Sequence, residues 1–367
     1  MSQLNVDIIQ SASASNVTVA APLTVSGTSS LNDTSITGSI TINSTVETGT
    51  FTGNAALNVT INGVACKILL VDYTAPSATS FKFSVKTDNS GTSGTNQFTI
   101  PTTGSGYNYT VVTSEQNLTG QTGDVTLTWS TPGTYDVEIS GDFPRIYFNC
   151  SGDKLKMINI ERWGSIAWSS FNFAFFGCEN LDITATDSPD LSLVTDMSVS
   201  FNACTDLTNS NGSISNWDVS NVTNMGTMFA VCYGFNVDVS SWDVSNVTDM
   251  SYMFNSTPFN QNIGGWTVSH VVNMEGIFSQ SPFDQDISSW DVSSVTNMTA
   301  MFDSTPFNQN ISSWVVSNVS VMDAMFINAT SFNQDLSGWD VALIPSAPVD
   351  FDLDATSWVL PRPNWSI

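Results

Sequence analysis

Large apolar residues recur at a fixed spacing through the second half of the chain. Six tryptophans are separated by 25, 24, 24, 24 and 25 residues, and methionine and phenylalanine columns keep the same phase. These columns are Trp217, Trp242, Trp266, Trp290, Trp314, Trp339, Met225, Met250, Met274, Met298, Met322, Phe229, Phe254, Phe278, Phe302 and Phe326. A unit this short cannot bury its own core, so the pattern predicts in-phase stacking of repeats, a solenoid, over residues 150–345.

Each repeat divides into two kinds of pattern, as Ser281 to Thr305 illustrates with SPFDQDISSWDVSSVTNMTAMFDST. The run up to the tryptophan predicts a short parallel strand, whereas apolar residues three or four apart in VTNMTAMF predict a short helix or 3₁₀ turn. Asp and Asn alternate four residues before the tryptophans, as in Asp286 and Asn310. Because stacked like charges repel, this alternation predicts a polar ladder between repeats.

The first half of the chain has a different pattern, which is typical of β-structure. Residues 79–149 alternate apolar and polar in short runs between Gly and Pro turns, which predicts a β-sandwich, and Asn62-Gly63 predicts a hairpin turn within residues 53–78. Apolar residues are sparse in residues 1–52, which predicts an N-terminal β anchor or shaft that several intertwined copies stabilise. Residues 346–367 break the period and predict a C-terminal cap.

These patterns resemble known families. The runs SVTNMTAMF and FDQDISSWDVS, with FFGC (Phe175–Cys178) and FNAC (Phe201–Cys204), resemble BspA-type leucine-rich-repeat-like surface proteins of the tryptophan-rich variety. That resemblance implies a right-handed solenoid used for adhesion or recognition, with no catalytic residues to transfer. The segment VTLTWSTPGTYDVEISG (Val125–Gly141) is similar to the end of PKD-type sandwich domains, and residues 1–52 look like the shafts of phage fibre and decoration proteins, which are commonly trimers.

The strongly negative net charge of the chain limits which classes of molecule it can bind. The chain has 8 Lys and Arg against 33 Asp and Glu, for a net charge of −25, and no Lys or Arg lies between Trp163 and Pro361. Such a surface repels phosphate backbones, so we expect no nucleic-acid partner. No apolar run approaches the length of a membrane span, so we expect no membrane insertion.

Candidate chemical groups are few, and most belong to repeat columns. His270, the single histidine, occupies a position that neighbouring repeats fill with Asn or Ser. Asp350, Asp352 and Asp354 resemble the start of a calcium loop, but the expected glycine and distal glutamate are missing, which makes them weak metal candidates. Cys178, Cys204 and Cys232 share one column and predict buried, reduced thiols. We therefore expect no catalytic residues, no cofactor and no enzymatic activity.

The functional hypothesis combines these expectations. Under this hypothesis the chain is a non-enzymatic bacteriophage virion protein, either a capsid decoration protein or a fibre. It would form a homotrimer and display the solenoid on the virion surface. Residues 1–52 would contact other virion proteins, and the solenoid would bind a host-surface protein or glycan. The N-terminal residues have neither a basic start nor an apolar core for secretion, which favours this location. The alternatives are a bacterial cell-surface adhesin and a polysaccharide-degrading spike.

Overall fold

The computed structural model describes residues 79–365 in full and four earlier segments by their backbone. Those segments are β1 (Thr18–Val19), β2 (Ile40–Thr41), β3 (Ala55–Ile61) and β4 (Val64–Leu70). The described residues are mainly β with almost no helix, since their only helices are the 3₁₀ turns Lys154–Lys156 and Ser213–Asn216. No helix among them is both long and apolar enough to cross a bilayer.

The four early strands form two antiparallel pairs. Strand β1 pairs with β2, and β3 pairs with β4 so that Ile61 lies opposite Val64. The predicted turn at Asn62-Gly63 lies outside the described residues. The rest of residues 1–52, the predicted anchor, lies outside the described residues. The predicted trimer depends on the same residues.

The remaining strands form a large and a small sheet. They are β5 (Phe81–Lys86), β6 (Gln97–Ile100), β7 (Asn108–Thr113), β8 (Asn117–Gln121), β9 (Val125–Thr128), β10 (Thr134–Asp142), β11 (Met157–Arg162) and β12 (Asp182–Ile183). The large sheet has the order β12-β11-β5-β10-β7-β8, and β6 pairs with β9. Alternation in FKFSVK buries Phe83, whose ring centroid lies 5.9 Å from that of Phe98 in β6, so the two sheets pack against each other.

A buried ion pair holds the loop between β5 and β6. The Lys156 ammonium donates to the backbone carbonyls of Ser93, Gly94 and Gln97 at 2.8–3.2 Å, and Asp153 Oδ1 accepts from the Ser93 N–H. Burial alone would raise the pKa of Asp153, but the hydrogen bonds from Ser93 and the Lys156 charge hold that pKa below its usual value.

The large sheet continues into the repeats. Strand β12 pairs in parallel with β11, with Ile183 opposite Ile160, and Asn159 opposite Asp182. Strand β11 also pairs with β5, with Ile160 opposite Phe83, so strand pairing crosses the predicted boundary at residue 150 and the first repeats begin as an extension of the sheet edge.

Consecutive repeats are joined by a row of backbone hydrogen bonds, and we call residues 171–354 the repeat stack. In each repeat, N–H groups of alternate residues donate to carbonyls of the following repeat, at 2.8–3.3 Å in the example below. The donors Met274, Gly276, Phe278 and Gln280 reach the carbonyls of Asn297, Thr299, Met301 and Asp303. Residues 324, 326 and 328 donate in the same way to Val349, Phe351 and Leu353, so the row of bonds extends into the segment predicted as a C-terminal cap.

The predicted short helix in each repeat is wrong. The Met301 N–H donates to the Met298 carbonyl at 3.3 Å, and Ala300 between them has φ 53°; Ser304 repeats this geometry with φ 55°. A hydrogen bond to the third residue back with positive φ before the donor is the signature of a type II turn. Two such turns in succession also bring apolar residues that are three or four positions apart to the same side of the chain. Their positive φ values are incompatible with a helix.

The strand predicted before the tryptophan of each repeat is absent there. Instead, a single residue beside the methionine column forms a parallel bridge to the neighbouring repeat. Parallel bridges join Asn273 to Asn297 and Asn297 to Val321, beside the methionine column. The segment before Trp290 instead ends in a turn, in which the Trp290 N–H donates to Ile287. Ser and Asp side chains bond the backbone locally in this segment, which competes with strand pairing.

Candidate functional site

The interior of the repeat stack is a core of buried aromatic, methionine and aliphatic side chains. All the Trp, Met and Phe residues of the predicted columns are at most 4% exposed. The Phe278 ring stacks on Phe283 of its own repeat at 3.7 Å and lies 6.1 Å from Phe302 of the next. Any residue of the repeat stack that contacts a partner must therefore lie on its surface.

The buried tryptophans also link the repeats through their indole N–H groups. Trp290 Nε1 donates to the Ile263 carbonyl at 3.1 Å, and Trp314 Nε1 donates to Ile287 at 3.2 Å. Trp242, Trp266 and Trp339 make the equivalent bond to the preceding repeat. These five tryptophans thus have a structural role, because each indole gives a second hydrogen bond to a carbonyl that already closes a turn of the preceding repeat.

The Asp and Asn side chains that precede the tryptophans do not form the predicted ladder. Asp286 Oδ1 accepts from the Ser288 N–H at 2.9 Å, and Asn310 Oδ1 does the same for Ser312 at 3.0 Å. Hydrogen bonds from Ser288 hold the pKa of Asp286 below its usual value. These side chains stabilise their own turn, which either an amide or a carboxylate oxygen can do.

A different polar column forms a ladder between repeats. Asn260 Oδ1 accepts from the Asp284 N–H at 3.0 Å and from Gln285 Nε2 at 2.9 Å, and Asp284 Oδ1 then accepts from Asn308. The column comprises Asn236, Asn260, Asp284, Asn308 and Asn333. The sequence analysis missed it, although the recurring Phe-Asn/Asp-Gln motif marks its position.

His270 lies in a column of structural amides. Its Nδ1 is 2.7 Å from the Ser245 carbonyl. Asn246 and Asn318 donate from the same position to the preceding repeat, at 2.8 and 2.7 Å. Because a carbonyl only accepts, Nδ1 carries the proton, and the ring replaces an asparagine amide.

The three weak calcium candidates do not converge on a common point. Asp352 Oδ2 accepts from Arg362 Nε at 2.8 Å, while Asp350 and Asp354 flank it with φ of 53° and 61°. Residues 79–365 contain no group of three or more His, Cys, Asp or Glu side chains arranged to hold a metal ion.

The cysteine column is buried and reduced. The thiols of Cys204 and Cys232 donate to the carbonyls of Phe175 and Phe201 in the preceding repeats, at 3.2 and 3.0 Å. Burial raises the pKa of Cys178 and of both these thiols, which removes the thiolate needed for nucleophilic chemistry.

The surface of the repeat stack carries one notch that the sequence analysis did not single out. It has a volume of about 350 Å³ and is lined by Tyr233, Ser256, Thr257, Pro258 and Gln280. The Tyr233 side chain is 63% exposed. A signal was present in the sequence, because Tyr233 belongs to a 25-residue repeat and follows the cysteine column where later repeats carry proline.

Comparison with known proteins gives a family but no close relative. A family model described as "Mycoplasma protein of unknown function, DUF285" matches residues 169–282 and 255–352, which together span just over half of the chain. This match is compatible with the BspA-like repeats that the sequence predicts. No curated protein and no solved structure matches the chain. The chain therefore belongs to the family described as Mycoplasma protein of unknown function, DUF285.

Proposed function

We propose that this protein is a non-enzymatic recognition scaffold, in which a right-handed solenoid of BspA-like repeats presents binding groups on the surface of a phage particle. In this proposal a PKD-like sandwich supports the solenoid, and a fibre-like N-terminal segment anchors a homotrimer to other virion proteins. Several copies on one particle would raise the apparent affinity for a host-surface protein or glycan.

The observation that carries the proposal is the repetition of side-chain roles from repeat to repeat. The Asp286 carboxylate accepts from the Ser288 N–H, the Asn260 amide oxygen accepts from the Asp284 N–H, and the Trp290 indole donates to the Ile263 carbonyl. Each of these bonds recurs in neighbouring repeats. The polar side chains of these columns form hydrogen bonds with backbone groups and so stabilise the repeats. The repeat also places exposed acidic residues at equivalent positions, as at Asp243 and Asp291. Such an arrangement suits a partner that has repeated binding sites.

The test of recognition is binding of the purified full chain to intact bacterial cells, measured by flow cytometry with a fluorescent label. We expect saturable binding to a restricted set of strains and no shortening of capsular polysaccharide after incubation. Equal adsorption to all strains would contradict recognition, and shortening of polysaccharide would favour the depolymerase alternative.

The virion location needs a separate experiment. Antibodies raised against the full chain should label purified phage particles in immunogold electron microscopy, and deletion of residues 1–52 should abolish incorporation. Normal incorporation of the truncated chain would contradict the anchor.

A bacterial cell-surface adhesin is the second candidate, and the family match favours it because the family is described from Mycoplasma. The two candidates share the recognition scaffold and differ in location. Labelling of bacterial cells rather than particles by the same antibodies would select the adhesin.

A further inference from the structure

We propose that the notch beside Tyr233 is a binding site for a neutral saccharide. The proposal deepens the proposed function, on which it rests, by naming a ligand class and a place on the repeat stack. It draws on the exposed ring of Tyr233, the polar groups around it and the charge of the surface.

Tyr233 departs from the repeat in a way that packing does not require. Two residues, Tyr233 and Gly234, separate Cys232 from the next buried phenylalanine, whereas later repeats place a single proline there, as at Pro258. The other repeats with two residues at this point carry Glu179, Thr205 or Thr330 where this repeat carries Tyr233. A threonine therefore serves the fold at this position, and the large aromatic ring, 63% exposed, is free for another role.

The groups around the ring are polar and uncharged. Ser256 Oγ lies 3.2 Å from Gln280 Oε1, which leaves Gln280 Nε2 without an acceptor among the residues that the structure describes. Thr257 is held from below, since its hydroxyl donates to the Phe254 carbonyl at 2.7 Å. The notch thus combines the aromatic ring of Tyr233, the amide donor of Gln280 and the half-buried hydroxyl of Ser256, whereas the Thr257 hydroxyl is buried and holds the backbone.

This combination fits a pyranose ring. The C–H groups on one face of a sugar rest on the negative face of an aromatic ring, while its hydroxyls accept from an amide and exchange bonds with a hydroxyl. The volume of about 350 Å³ lies at the lower end of the range for small-molecule sites, which suits one or two sugar units.

The charge of the surface selects neutral sugars. No acid or base lines the notch, and residues 164–360 contain no Lys or Arg to pair with an anionic ligand. The acids of the repeat stack would repel sialic or uronic acids as they approach.

The experiment uses the full chain and a panel of methyl glycosides of neutral hexoses and N-acetylhexosamines, with N-acetylneuraminic acid as the anionic comparison. Saturation-transfer difference NMR detects binding, and titration gives the Kd. We expect at least one neutral glycoside to bind, Tyr233→Thr to weaken it about tenfold or more, and Tyr233→Phe to retain it. Gln280→Ala should weaken it by a smaller factor, and Leu193→Thr, at an equally exposed apolar residue, should have no effect.

Three results would overturn the saccharide site. They are the absence of binding by every neutral glycoside, unchanged binding by Tyr233→Thr, and stronger binding of the anionic sugar. Failure of the proposed function is distinguishable from these. A chain that binds cells but no glycoside retains recognition and loses this site, whereas a chain that binds a glycoside but no cells retains the site and loses recognition.

Discussion

At the scale of single residues, Asp and Asn are interchangeable before the tryptophans because each uses one oxygen to cap a turn. The Asp286 carboxylate and the Asn310 amide accept the same backbone bond two residues ahead. The hydrogen bonds to the carboxylate lower its pKa in the folded protein. Its contribution to stability is therefore complete above the ordinary pKa of about 4 and is lost as the pH falls further.

The pair Asp286→Ala and Asp286→Asn tests this capping role. At pH 7 we expect the alanine variant to melt at a lower temperature than the parent and the asparagine variant to melt close to it. The gap between parent and alanine variant should shrink as the pH falls below about 4, because the protonated carboxyl is a weaker acceptor. Thermal unfolding followed by circular dichroism across that pH range measures it, and a pH-independent gap would contradict the carboxylate as the source.

The indole hydrogen bonds lead to a second prediction at this scale. Trp290→Phe should lower the free energy of unfolding by about 0.5–1.5 kcal/mol beyond its loss of apolar area, because the Ile263 carbonyl keeps the bond from the Trp266 backbone N–H and loses only the indole bond. Trp217 is a matched control, since it is also 3% exposed but its Nε1 has no hydrogen-bond partner within residues 79–365. Urea titration should give the smaller loss for Trp217→Phe, and equal losses would show that the indole bond adds nothing.

At the scale of elements, successive turns replace the predicted helix at some conformational cost. Left-handed backbone at non-glycine residues such as Ala300 costs about 1–2 kcal/mol each, and the bonds to the neighbouring repeats hold it in place. Gly276 occupies the same position with φ 56°, and a Cβ there would overlap the ring of Tyr252.

Exchanging glycine and alanine at these two positions should have opposite effects. Ala300→Gly should raise the free energy of unfolding by up to about 1 kcal/mol, because relief of the left-handed strain exceeds the added entropy of the unfolded chain. Gly276→Ala should lower it, since the Tyr252 ring must move. Chemical denaturation of both variants checks the prediction, and destabilisation by Ala300→Gly would contradict the turn geometry.

The turns also explain what the sequence predicted well and what it did not. The tryptophan period predicted buried columns correctly, because burial depends only on which residues return to the same side. Helix and turn pairs both place Met298 and Met301 on that side, so spacing could not separate them. The ladder through Asn260 and the notch at Tyr233 were missed for another reason, since each depends on contacts between repeats that one sequence does not display.

At the scale of the whole molecule, charge is the dominant long-range force. A net charge of −25 with few cations makes the folded chain repel itself. Raising the ionic strength from about 0.01 to 0.1 M shortens the Debye length from about 30 to 10 Å and screens that repulsion.

We therefore expect the melting temperature to rise with NaCl over this range. Calcium chloride at matched ionic strength should produce the same rise, because the acids of residues 79–365 do not cluster into a metal site. Differential scanning calorimetry in the two salts makes the comparison, and a markedly larger shift with calcium would contradict it and point to Asp350, Asp352 and Asp354.

The row of backbone hydrogen bonds that joins the repeats gives the repeat stack an electrical direction, although bonds such as that from the Thr296 N–H to the Val272 carbonyl run the opposite way. Every bond in the row points its N–H toward higher residue numbers, so the peptide dipoles add as they do in a helix, with the positive pole beyond residue 349. Asp350, Asp352 and Asp354 lie at that pole. Their carboxylates are thus placed where the backbone itself attracts negative charge.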